Sequence, residues 1–357
     1  MFRVLASTPE SMGAEAIARH ARRAEAMGFD GLLIPDAIHD ALVLSALALN
    51  ATQRLCVTTG VLVAFARSPM VTAVAAWDLQ RLSGGRFRLG VGTQIQQNIE
   101  QRYSARWGSP VPQLREYVQA LKAIFHTFQT GKPLAFAGEH YQFSRLQPFF
   151  NPGPSDCGEP PILCGAVGPA MSRMVGRVAD GVITHPTSTE RAVLRQAFWP
   201  NVQAGLDKAG VDNAGVDKAG VEQAGRAAGE FTTLLSPLVA TGVDATAVQT
   251  AYEQQRRLLA FLFSTPAYWR SLECFGWQDR GEQLREMTRN NRWQDLPAVV
   301  TDELLHTFVA GATYPEIAGE LCRRFGGLGQ EIIFPLPERE DEDAQVSEVV
   351  RALQRGV

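Results

Sequence analysis

The sequence predicts an α/β protein in which eight parallel strands close into a (β/α)8 TIM barrel with hairpin and helical insertions. Three observations lead to this prediction: strand-length apolar segments alternate with helix-length segments, the joints between them are short, and eight strand-helix units follow one another. Apolar strands that are joined through helices pair in parallel, and eight such units favour closure of the sheet. An open doubly wound sheet is the alternative that the same alternation allows.

The first half of the chain alternates regularly. A strand at residues 1–6 is followed by a helix that ends at Gly28. The third helix begins behind Ser68-Pro69 and ends at Gly84, because serine caps a helix, proline suits its first turn and glycine ends it. Further strands are predicted at 30–35, 55–63 and 86–91, and further helices at 40–50, 69–84 and 114–127.

The second half contains two irregular segments. Residues 132–158 are rich in aromatic residues, glycine and proline and are predicted to form a hairpin insertion. Ala-Gly then recurs every five residues between 204 and 225, a period that matches neither helix nor strand, so residues 204–229 are predicted to be a surface loop. One barrel is expected over residues 1–340, followed by a C-terminal helix at 341–357. The remaining strands are predicted at 162–166, 181–184, 231–239 and 331–334, with a helix at 169–179.

The composition indicates a soluble protein that binds a small molecule. The formal net charge is only -3, and no basic stripe of the kind that nucleic acid or an anionic membrane surface requires is present. No segment approaches the roughly 20 apolar residues of a membrane span. Five cysteines without a Cys-x-x-Cys pair suggest neither a disulfide framework nor a zinc site, so we expect no metal and a reducing cytoplasm.

The candidate site residues follow the predicted strands, because a TIM barrel binds its ligand at the carboxyl ends of its strands. Within the segment from Gly165 to Pro169, small residues leave backbone N–H groups uncovered in front of a helix, which suits a phosphate. A tight joint between strand and helix would require the same glycines. The candidates by position are Ser7, Asp36, His39, Gly60, Val61, Thr93, Gln94, Gly165, Ala166, Val167, Gly168, Pro169 and His185.

Two histidines are candidates for a proton donor. His39 is either a general acid above a cofactor or an ordinary polar residue in front of the next helix. Asp36 either orients His39 or caps the turn. His185 ends a strand in front of Pro186 and is therefore expected to point toward the barrel mouth, and Gln94 is included because it follows the fourth strand.

Over residues 1–337 the sequence resembles the luciferase-like monooxygenase superfamily. Within that superfamily it is most similar to an F420-dependent oxidoreductase subfamily. Each motif is short, but their order and spacing carry the resemblance together. The motifs are His39-Asp40, Ala76-Trp77-Asp78-Leu79-Gln80, Ser83-Gly84-Gly85-Arg86-Phe87, Leu89-Gly90-Val91-Gly92-Thr93-Gln94, Pro148-Phe149-Phe150-Asn151-Pro152-Gly153-Pro154, Ala179-Asp180-Gly181 and Ser264-Thr265-Pro266-Ala267-Tyr268.

The resemblance implies a TIM barrel whose third strand carries a bulge, often with a non-prolyl cis peptide, against the central ring of the deazaflavin. In this chain that bond would be Gly60-Val61, and the phosphate of the cofactor tail would lie on residues 166–168 and the following helix. Family members often carry an Asp-His pair after the second strand, where this chain has Asp36-Ala37-Ile38-His39. Sugar-phosphate dehydrogenases of the superfamily place a glutamate after the fourth strand, but Gln94 stands here, so sugar-phosphate oxidation is disfavoured.

The resemblance therefore implies an oxidoreductase that transfers a hydride between F420 and a small, largely apolar organic substrate. Its catalytic residues would be His39, Asp36, Gln94 and His185, and the other candidates would bind the cofactor. The first alternative is an FMN-dependent monooxygenase supplied by a partner reductase, and the second is a flavin- or deazaflavin-binding protein without turnover. Because members of this family usually form dimers, the resemblance also implies a homodimer. The aromatic residues of the hairpin insertion, among them Phe149 and Phe150, are expected either to cover the mouth or to pack on the barrel.

Overall fold

The computed structural model describes residues 1–212 and 231–357, and strands alternate with helices along both parts. The strands are β1 (Arg3–Ser7), β2 (Gly31–Ile34), β3 (Cys56–Thr59), β4 (Leu62–Val63), β5 (Phe87–Gly92), β6 (Phe136–Ala137), β7 (Gln142–Phe143), β8 (Ile162–Ala166), β9 (Gly181–Thr184), β10 (Thr232–Leu235), β11 (Leu238–Gly242), β12 (Val309–Thr313) and β13 (Glu331–Phe334).

Helices follow most of the strands, and a π-helical turn at Leu194–Phe198 joins α6 to α7. The helices are α1 (Ala14–Ala26), α2 (Ala41–Ala51), α3 (Pro69–Ser83), α4 (Pro110–Thr130), α5 (Pro169–Val178), α6 (Arg191–Val193), α7 (Trp199–Asp212), α8 (Ala245–Phe263), α9 (Trp269–Glu273), α10 (Gln278–Arg289), α11 (Asp302–Phe308), α12 (Tyr314–Phe325) and α13 (Asp343–Arg355). None of the helices in the described ranges is long and apolar enough to cross a bilayer.

The central sheet is parallel and closed. Its strand order is β3-β2-β1-β13-β10-β9-β8-β5-β4, and β3 also pairs with β5, so the two edges meet. Counting β3 and β4 as one interrupted strand gives eight positions around the barrel. The predicted TIM barrel is therefore confirmed, and the open doubly wound sheet is wrong.

The helix ends are set by the residues that the sequence analysis singled out. The Ser68 side chain accepts a hydrogen bond from the Met70 N–H at the start of α3. Gly84 ends α3 in the left-handed conformation at φ +64°, which a side chain would disfavour. At α2, Asp40 accepts from the N–H groups of Leu42 and Val43. The strand-helix joints are thus encoded locally.

The third strand is interrupted where the resemblance implies it. The Gly60-Val61 peptide bond is cis, as expected, and it separates β3 from β4. The predicted continuous strand over 55–63 is wrong in this respect. The side chain of Thr59 replaces the missing ladder bonds, because its Oγ1 donates to Gly90 O at 2.7 Å and accepts from Gly90 N at 2.9 Å.

The predicted strand over 231–239 is also two strands. Only β10 belongs to the barrel, whereas β11 pairs in parallel with β12, a strand that the sequence analysis missed. The break lies at Ser236-Pro237, where proline has no N–H to donate to a ladder. The chain leaves the barrel at this point and enters a helical insertion.

The helical insertion between β10 and β13 has its own hydrophobic core. Leu259 and Phe263 of α8 pack in one buried cluster with Leu284 of α10 and Phe308 of α11. Phe263 and Phe308 meet edge to face with ring centroids 5.1 Å apart. The insertion therefore carries packing energy that does not depend on the barrel.

The start of the Ala-Gly segment is helical, so the loop predicted at 204–229 is wrong for residues 204–212. A Cβ on Gly205 would lie 2.1 Å from the Arg173 carbonyl oxygen of α5, and a Cβ on Gly176 would lie 2.2 Å from the Val202 carbonyl oxygen of α7. Two glycines thus let α5 and α7 pack closely, which the five-residue period did not reveal. Residues 213–229 of the predicted loop lie outside the described residues.

The hairpin segment contains the antiparallel pair β6–β7. Phe149 and Phe150 of this segment are 90% and 62% exposed and stack edge to face on each other. The nearby Gly153 carbonyl accepts from Trp77 Nε1, and the Pro152 carbonyl accepts from Arg81, in the second half of α3. This half of α3 leads toward the amino-terminal end of β5, so the expectation that both aromatic residues cover the mouth is wrong.

The barrel interior is layered. Its middle layer is apolar and consists of inward side chains from seven of the eight positions: Leu5, Leu33, Val61, Leu163, Ile183, Leu234 and Ile333. Below this layer, Arg88 Nη1 donates to Glu331 Oε1 at 2.8 Å, and Arg88 Nε donates to Thr58 Oγ1 at 2.9 Å. Glu331 is only 2% exposed, so the floor of the barrel is a buried ion pair.

Replacing Glu331 with alanine is expected to lower the free energy of unfolding by about 3–5 kcal/mol, because it leaves the Arg88 guanidinium buried without its partner charge. Urea denaturation followed by circular dichroism measures the change. Arg3→Ala is the matched control, since Arg3 contacts the same carboxylate at 3.2 Å from an exposed position. It should cost less than about 1 kcal/mol. Equal losses in the two variants would contradict the assignment of the buried pair.

Candidate functional site

The site is built from the layer above the apolar one, at the carboxyl ends of the strands. Side chains alternate along a strand, so on β1, β2, β8, β9, β10 and β13 the inward position two residues beyond the apolar-layer side chain faces the mouth, and on β5 the matching position lies two residues beyond Gly90. The mouth layer comprises Ser7, Pro35, Gly92, Gly165, His185, Ser236 and Pro335. Ser7, Gly165 and His185 were predicted to lie at the site, and the structure brings them together in this layer.

One half of the mouth is a wall of small residues. A Cβ on Gly92 would lie 2.5 Å from Val61 Cγ2, and a Cβ on Gly165 would lie 3.4 Å from Val61 Cγ1. The Val61 side chain therefore occupies the space that a side chain at Gly92 would need, and it lies in van der Waals contact with the position of a Cβ on Gly165. The wall offers backbone and methyl groups but no side-chain charge. It suits the face of a flat ring.

Asp36 positions the interrupted strand. Its Oδ2 accepts from Val63 N at 3.0 Å, and its Oδ1 accepts from Ala41 N at 3.3 Å. Arg67 Nη2 lies 3.3 Å from the same carboxylate and 3.1 Å from Asp40, and the Asp36 side chain is only 6% exposed. This geometry gives Asp36 a structural role beside β4. Its predicted catalytic role stays a prediction, and the partners that the structure shows for Asp36 do not include His39.

The amino-terminal end of α5 is open. Gly168 is the N-cap residue and supplies no side-chain cap, and a Cβ there would meet no atom within 4 Å. The carboxylate of Glu15 lies over the corresponding end of α1, where it would be 2.5 Å from a Cβ on Gly13. Free N–H groups at a helix N-terminus attract anions. The geometry at the end of the segment from Gly165 to Pro169 therefore suits an anion, and its cofactor-binding role stays a prediction.

His185 is held as a neutral hydrogen-bond donor. Its Nδ1 accepts from Thr187 N at 3.3 Å and lies 2.8 Å from Thr187 Oγ1, so the ring proton belongs on Nε2. The ring stacks on Tyr268 with centroids 4.2 Å apart and planes 9° apart. Burial lowers the pKa of His185 to about 4. The imidazole is therefore neutral near pH 7 and presents an N–H group.

The strand ends beside His185 are tied by hydroxyl groups. Thr184 Oγ1 accepts from Ser236 N at 3.0 Å and shares a 2.6 Å hydrogen bond with Thr189 Oγ1. The Thr189 hydroxyl also donates to the His185 carbonyl at 2.9 Å. The hydroxyl of Ser236 itself is buried and has no hydrogen-bond partner in residues 1–212 and 231–357. The second half of the mouth is therefore polar and uncharged.

The remaining predicted residues lie on the rim. His39 is exposed in the loop between β2 and α2. Gln94 is exposed at φ +61°, and its Oε1 accepts from Ile95 N and Asn98 Nδ2, so its side chain organises the loop after β5. Thr93 Oγ1 donates to the Gln94 carbonyl in the same loop. The catalytic roles of His39 and Gln94 stay predictions.

Sequence reasoning missed Arg67, Ser236 and Tyr268. Tyr268 lies 83 positions beyond His185 in the chain, and no local pattern links the two rings. The only indication in the sequence was that Tyr268 belongs to one of the motifs that carry the family resemblance. Ser236 stands in front of Pro237, and that Ser-Pro pair was hidden inside a strand predicted to be continuous.

The closed barrel, its interrupted third strand and the open helix end at its mouth define an enzyme of the luciferase-like TIM-barrel class. The family model described as luciferase-like monooxygenase matches residues 2–330. The chain therefore belongs to the luciferase-like monooxygenase family, as its sequence motifs indicated.

Two relatives and one solved structure are similar to the chain over most of its length. It is 37% identical over 309 residues to an uncharacterised protein of Mycobacterium tuberculosis, covering 87% of this chain and 86% of the relative. It is 27% identical over 310 residues to a 5,10-methylenetetrahydromethanopterin reductase of Archaeoglobus fulgidus, covering 84% and 82%. The coenzyme F420 dependent tetrahydromethanopterin reductase of Methanopyrus kandleri shares the fold, with a TM-score of 0.74, 17% identity and 99% coverage of both chains.

The neutral state of His185 can be tested by titration. We expect the His185 imidazole to titrate near pH 4 in an NMR experiment, and Tyr268→Ala to move the midpoint toward the ordinary value of 6.5, because the stacked ring excludes water. The unfolded chain binds this proton at higher pH than the native one. The contribution of His185 to stability is therefore present above pH 6.5 and is lost as the pH falls toward 4. A native midpoint between 6 and 7 would contradict the burial of this ring.

Proposed function

We propose that the protein is an F420-dependent oxidoreductase that transfers a hydride between the deazaflavin and a small, largely apolar organic substrate. The observation that carries the proposal is the wall of Val61, Gly92 and Gly165 beside the open helix end at Gly168. A flat ring and an anionic tail need these two features next to each other. Several proteins that are similar to this chain are named as F420-dependent enzymes, which supports this cofactor.

The residues present fit such a cofactor. The wall would hold the ring, and Gly92 and Gly165 would keep its approach free of side chains. The N–H groups of the first turn of α5 would receive the phosphate, with no side chain at Gly168 in the way. When bound, F420 supplies the two-electron hydride chemistry, and the protein contributes orientation and hydrogen bonds.

FMN is the alternative cofactor, because its flat ring system and phosphate would meet the same wall and helix end. In that case the protein would be a monooxygenase that receives reduced FMN from a partner reductase. Oxygen consumption in the presence of reduced FMN distinguishes this activity from hydride transfer.

The five cysteines are free, which supports a reducing cytoplasm as the place of action.

We also propose a homodimer that is formed through α2 and α3. Both helices expose apolar side chains outward, with Val43 56%, Val71 61% and Leu82 56% exposed, and α2 contains no charged residue. The outer face of α1, by contrast, exposes Arg19 and Arg22. A surface helix that is apolar all round is normally buried against a partner. A two-fold contact between identical faces would cover both copies at once.

The cofactor can be tested by fluorescence titration with F420 and, separately, with FMN. We expect F420 to bind with a Kd in the micromolar range or below, and FMN binding to be negligible. Gly168→Asp should weaken F420 binding at least about 10-fold, because its carboxylate competes with the phosphate at the helix N-terminus. The same change should stabilise the fold by about 0.3 kcal/mol, since aspartate is a slightly better N-cap residue for α5 than glycine.

Gly168→Ala is the matched control, because it adds a methyl group in open space without charge, and its F420 affinity should stay within about 3-fold. Preferential binding of FMN would contradict the deazaflavin proposal and favour the monooxygenase. Equal affinities of the aspartate and alanine variants would remove α5 from the cofactor site.

The dimer can be tested by sedimentation velocity. Val43→Arg combined with Val71→Arg should convert the dimer to a monomer, because it buries unpaired charges at the apolar face. Leu258→Arg is the control, since this residue is 40% exposed on α8, away from the two helices. A wild-type protein that sediments as a monomer would refute the dimer, and a double variant that stays dimeric would exclude this face.

A further inference from the structure

We infer that the polar half of the mouth, formed by His185, Ser236 and Ser7, is a subsite for a neutral hydroxyl or carbonyl oxygen of the substrate. The inference rests on the proposed function and narrows its substrate class. It assigns the cofactor ring to the wall of small residues. The substrate oxygen, which is bonded to the reacting carbon, is assigned to the polar half of the mouth.

Three polar atoms of these residues, Ser236 Oγ, His185 Nε2 and Ser7 Oγ, have no hydrogen-bond partner among the residues that the structure describes. Ser236 is 9% exposed, and its Oγ is buried without a described partner. Within the described residues, no group hydrogen-bonds to His185 Nε2 or to Ser7 Oγ. Buried polar groups are almost always satisfied, so an orphaned hydroxyl beside a free N–H indicates a place where a ligand completes the bonding.

The register brings these groups to one level. Leu234 of β10 pairs with Ile183 of β9, so two residues further Ser236 comes beside His185. The bond from Ser236 N to Thr184 Oγ1 fixes that alignment. Ser7 follows Leu5 of β1 by the same two-residue step and lies across β13 from β10. All three therefore face the mouth from neighbouring strands.

The donor and acceptor pattern selects an oxygen atom. His185 Nε2–H can only donate, because Nδ1 is already occupied by Thr187. The Ser236 hydroxyl can donate or accept. A carbonyl oxygen would accept from both groups, and a hydroxyl would accept from His185 and donate to Ser236. A neutral imidazole that donates to a carbonyl also polarises it for hydride addition.

The charge of the surroundings excludes an anionic group at this place. The described mouth layer contains no aspartate, glutamate, lysine or arginine, and its histidine, His185, is neutral near pH 7. The guanidinium of Arg67 is paired with Asp36 and Asp40, and Arg88 lies below the apolar layer with Glu331. A carboxylate or phosphate beside Ser236 would therefore lose its hydration without gaining a counter-charge. The subsite consequently favours alcohols and ketones over acids and phosphate esters.

The test uses four probes that share one six-membered carbon ring: cyclohexanol, cyclohexanone, methylcyclohexane and cyclohexanecarboxylate. Each is titrated into the F420-saturated protein at neutral pH, and binding is followed by ligand-observed NMR. We expect the alcohol and the ketone to bind at least about 10-fold more tightly than the carboxylate. Tighter binding of the carboxylate would overturn the inference.

Two variants locate the oxygen. Ser236→Ala removes the hydroxyl, and His185→Phe removes the N–H while keeping a ring against Tyr268. Each should weaken binding of the alcohol and ketone by about 3- to 10-fold and leave methylcyclohexane within about 2-fold. Thr250→Ala, which removes an exposed hydroxyl on α8, is the control and should change none of the four affinities. Unchanged alcohol and ketone affinities in both site variants would refute the subsite.

The experiment separates this inference from the proposed function. If F420 does not bind, the cofactor proposal is refuted. The same probes are then titrated into the FMN-saturated protein. If FMN does not bind either, they are titrated into the cofactor-free protein. The order of the four affinities and the effects of the two variants then judge the subsite alone. If F420 binds and none of the probes does, the subsite fails while the cofactor proposal stands.

Discussion

The site depends on the closure of the parallel sheet, which sends every second side chain of each strand into the same narrow interior. The apolar layer around Leu5 and Ile183 fills the middle of that space and separates two polar levels. The buried pair of Arg88 and Glu331 can exist below it because its charges satisfy each other. The level above has no such internal partner. Its polar groups are therefore free for a ligand, and its glycines leave the space in which one can lie.

Hydrogen bonds replace part of the strand ladder where it is interrupted at Gly60-Val61. Gly60 N donates to the Ile34 carbonyl at 2.7 Å, while the Thr59 hydroxyl bonds both the N–H and the carbonyl of Gly90. On the other side of the break, the Asp36 carboxylate accepts from the N–H of Val63. The side chains of Thr59 and Asp36 thus bind the backbone groups of Gly90 and Val63 beside the break.

Much of the fold could be predicted from the sequence because its signals are local. The caps at Asp40, Ser68 and Gly84 define strand-helix joints within a few residues, and repeated units of this kind imply closure. The cis bond could be predicted only through the family resemblance, since neither Gly60 nor Val61 demands it. The division of the 231–239 segment was missed because apolar residues continue past Pro237 with no change in pattern.

The candidate site was predictable strand by strand but not across the chain. His185 was expected at the mouth because it ends a strand, yet its neutral state depends on Tyr268, which folding brings from a distant segment. The same limit applied to Asp36: its partner Val63 lies 27 residues away, so no local pattern favoured a structural role over a catalytic one.

The separate core of the helical insertion has an evolutionary consequence. Because α8, α10 and α11 pack on one another, substitutions in the insertion can be accepted without disturbing the wall of Val61, Gly92 and Gly165. The insertion nevertheless contacts the mouth through Tyr268, whose ring stacks on His185. A movement of Tyr268 therefore changes the surroundings of the His185 ring. The two halves of the mouth are thus supported by different parts of the fold: the wall of small residues belongs to the barrel strands alone, whereas the polar half also contacts the insertion.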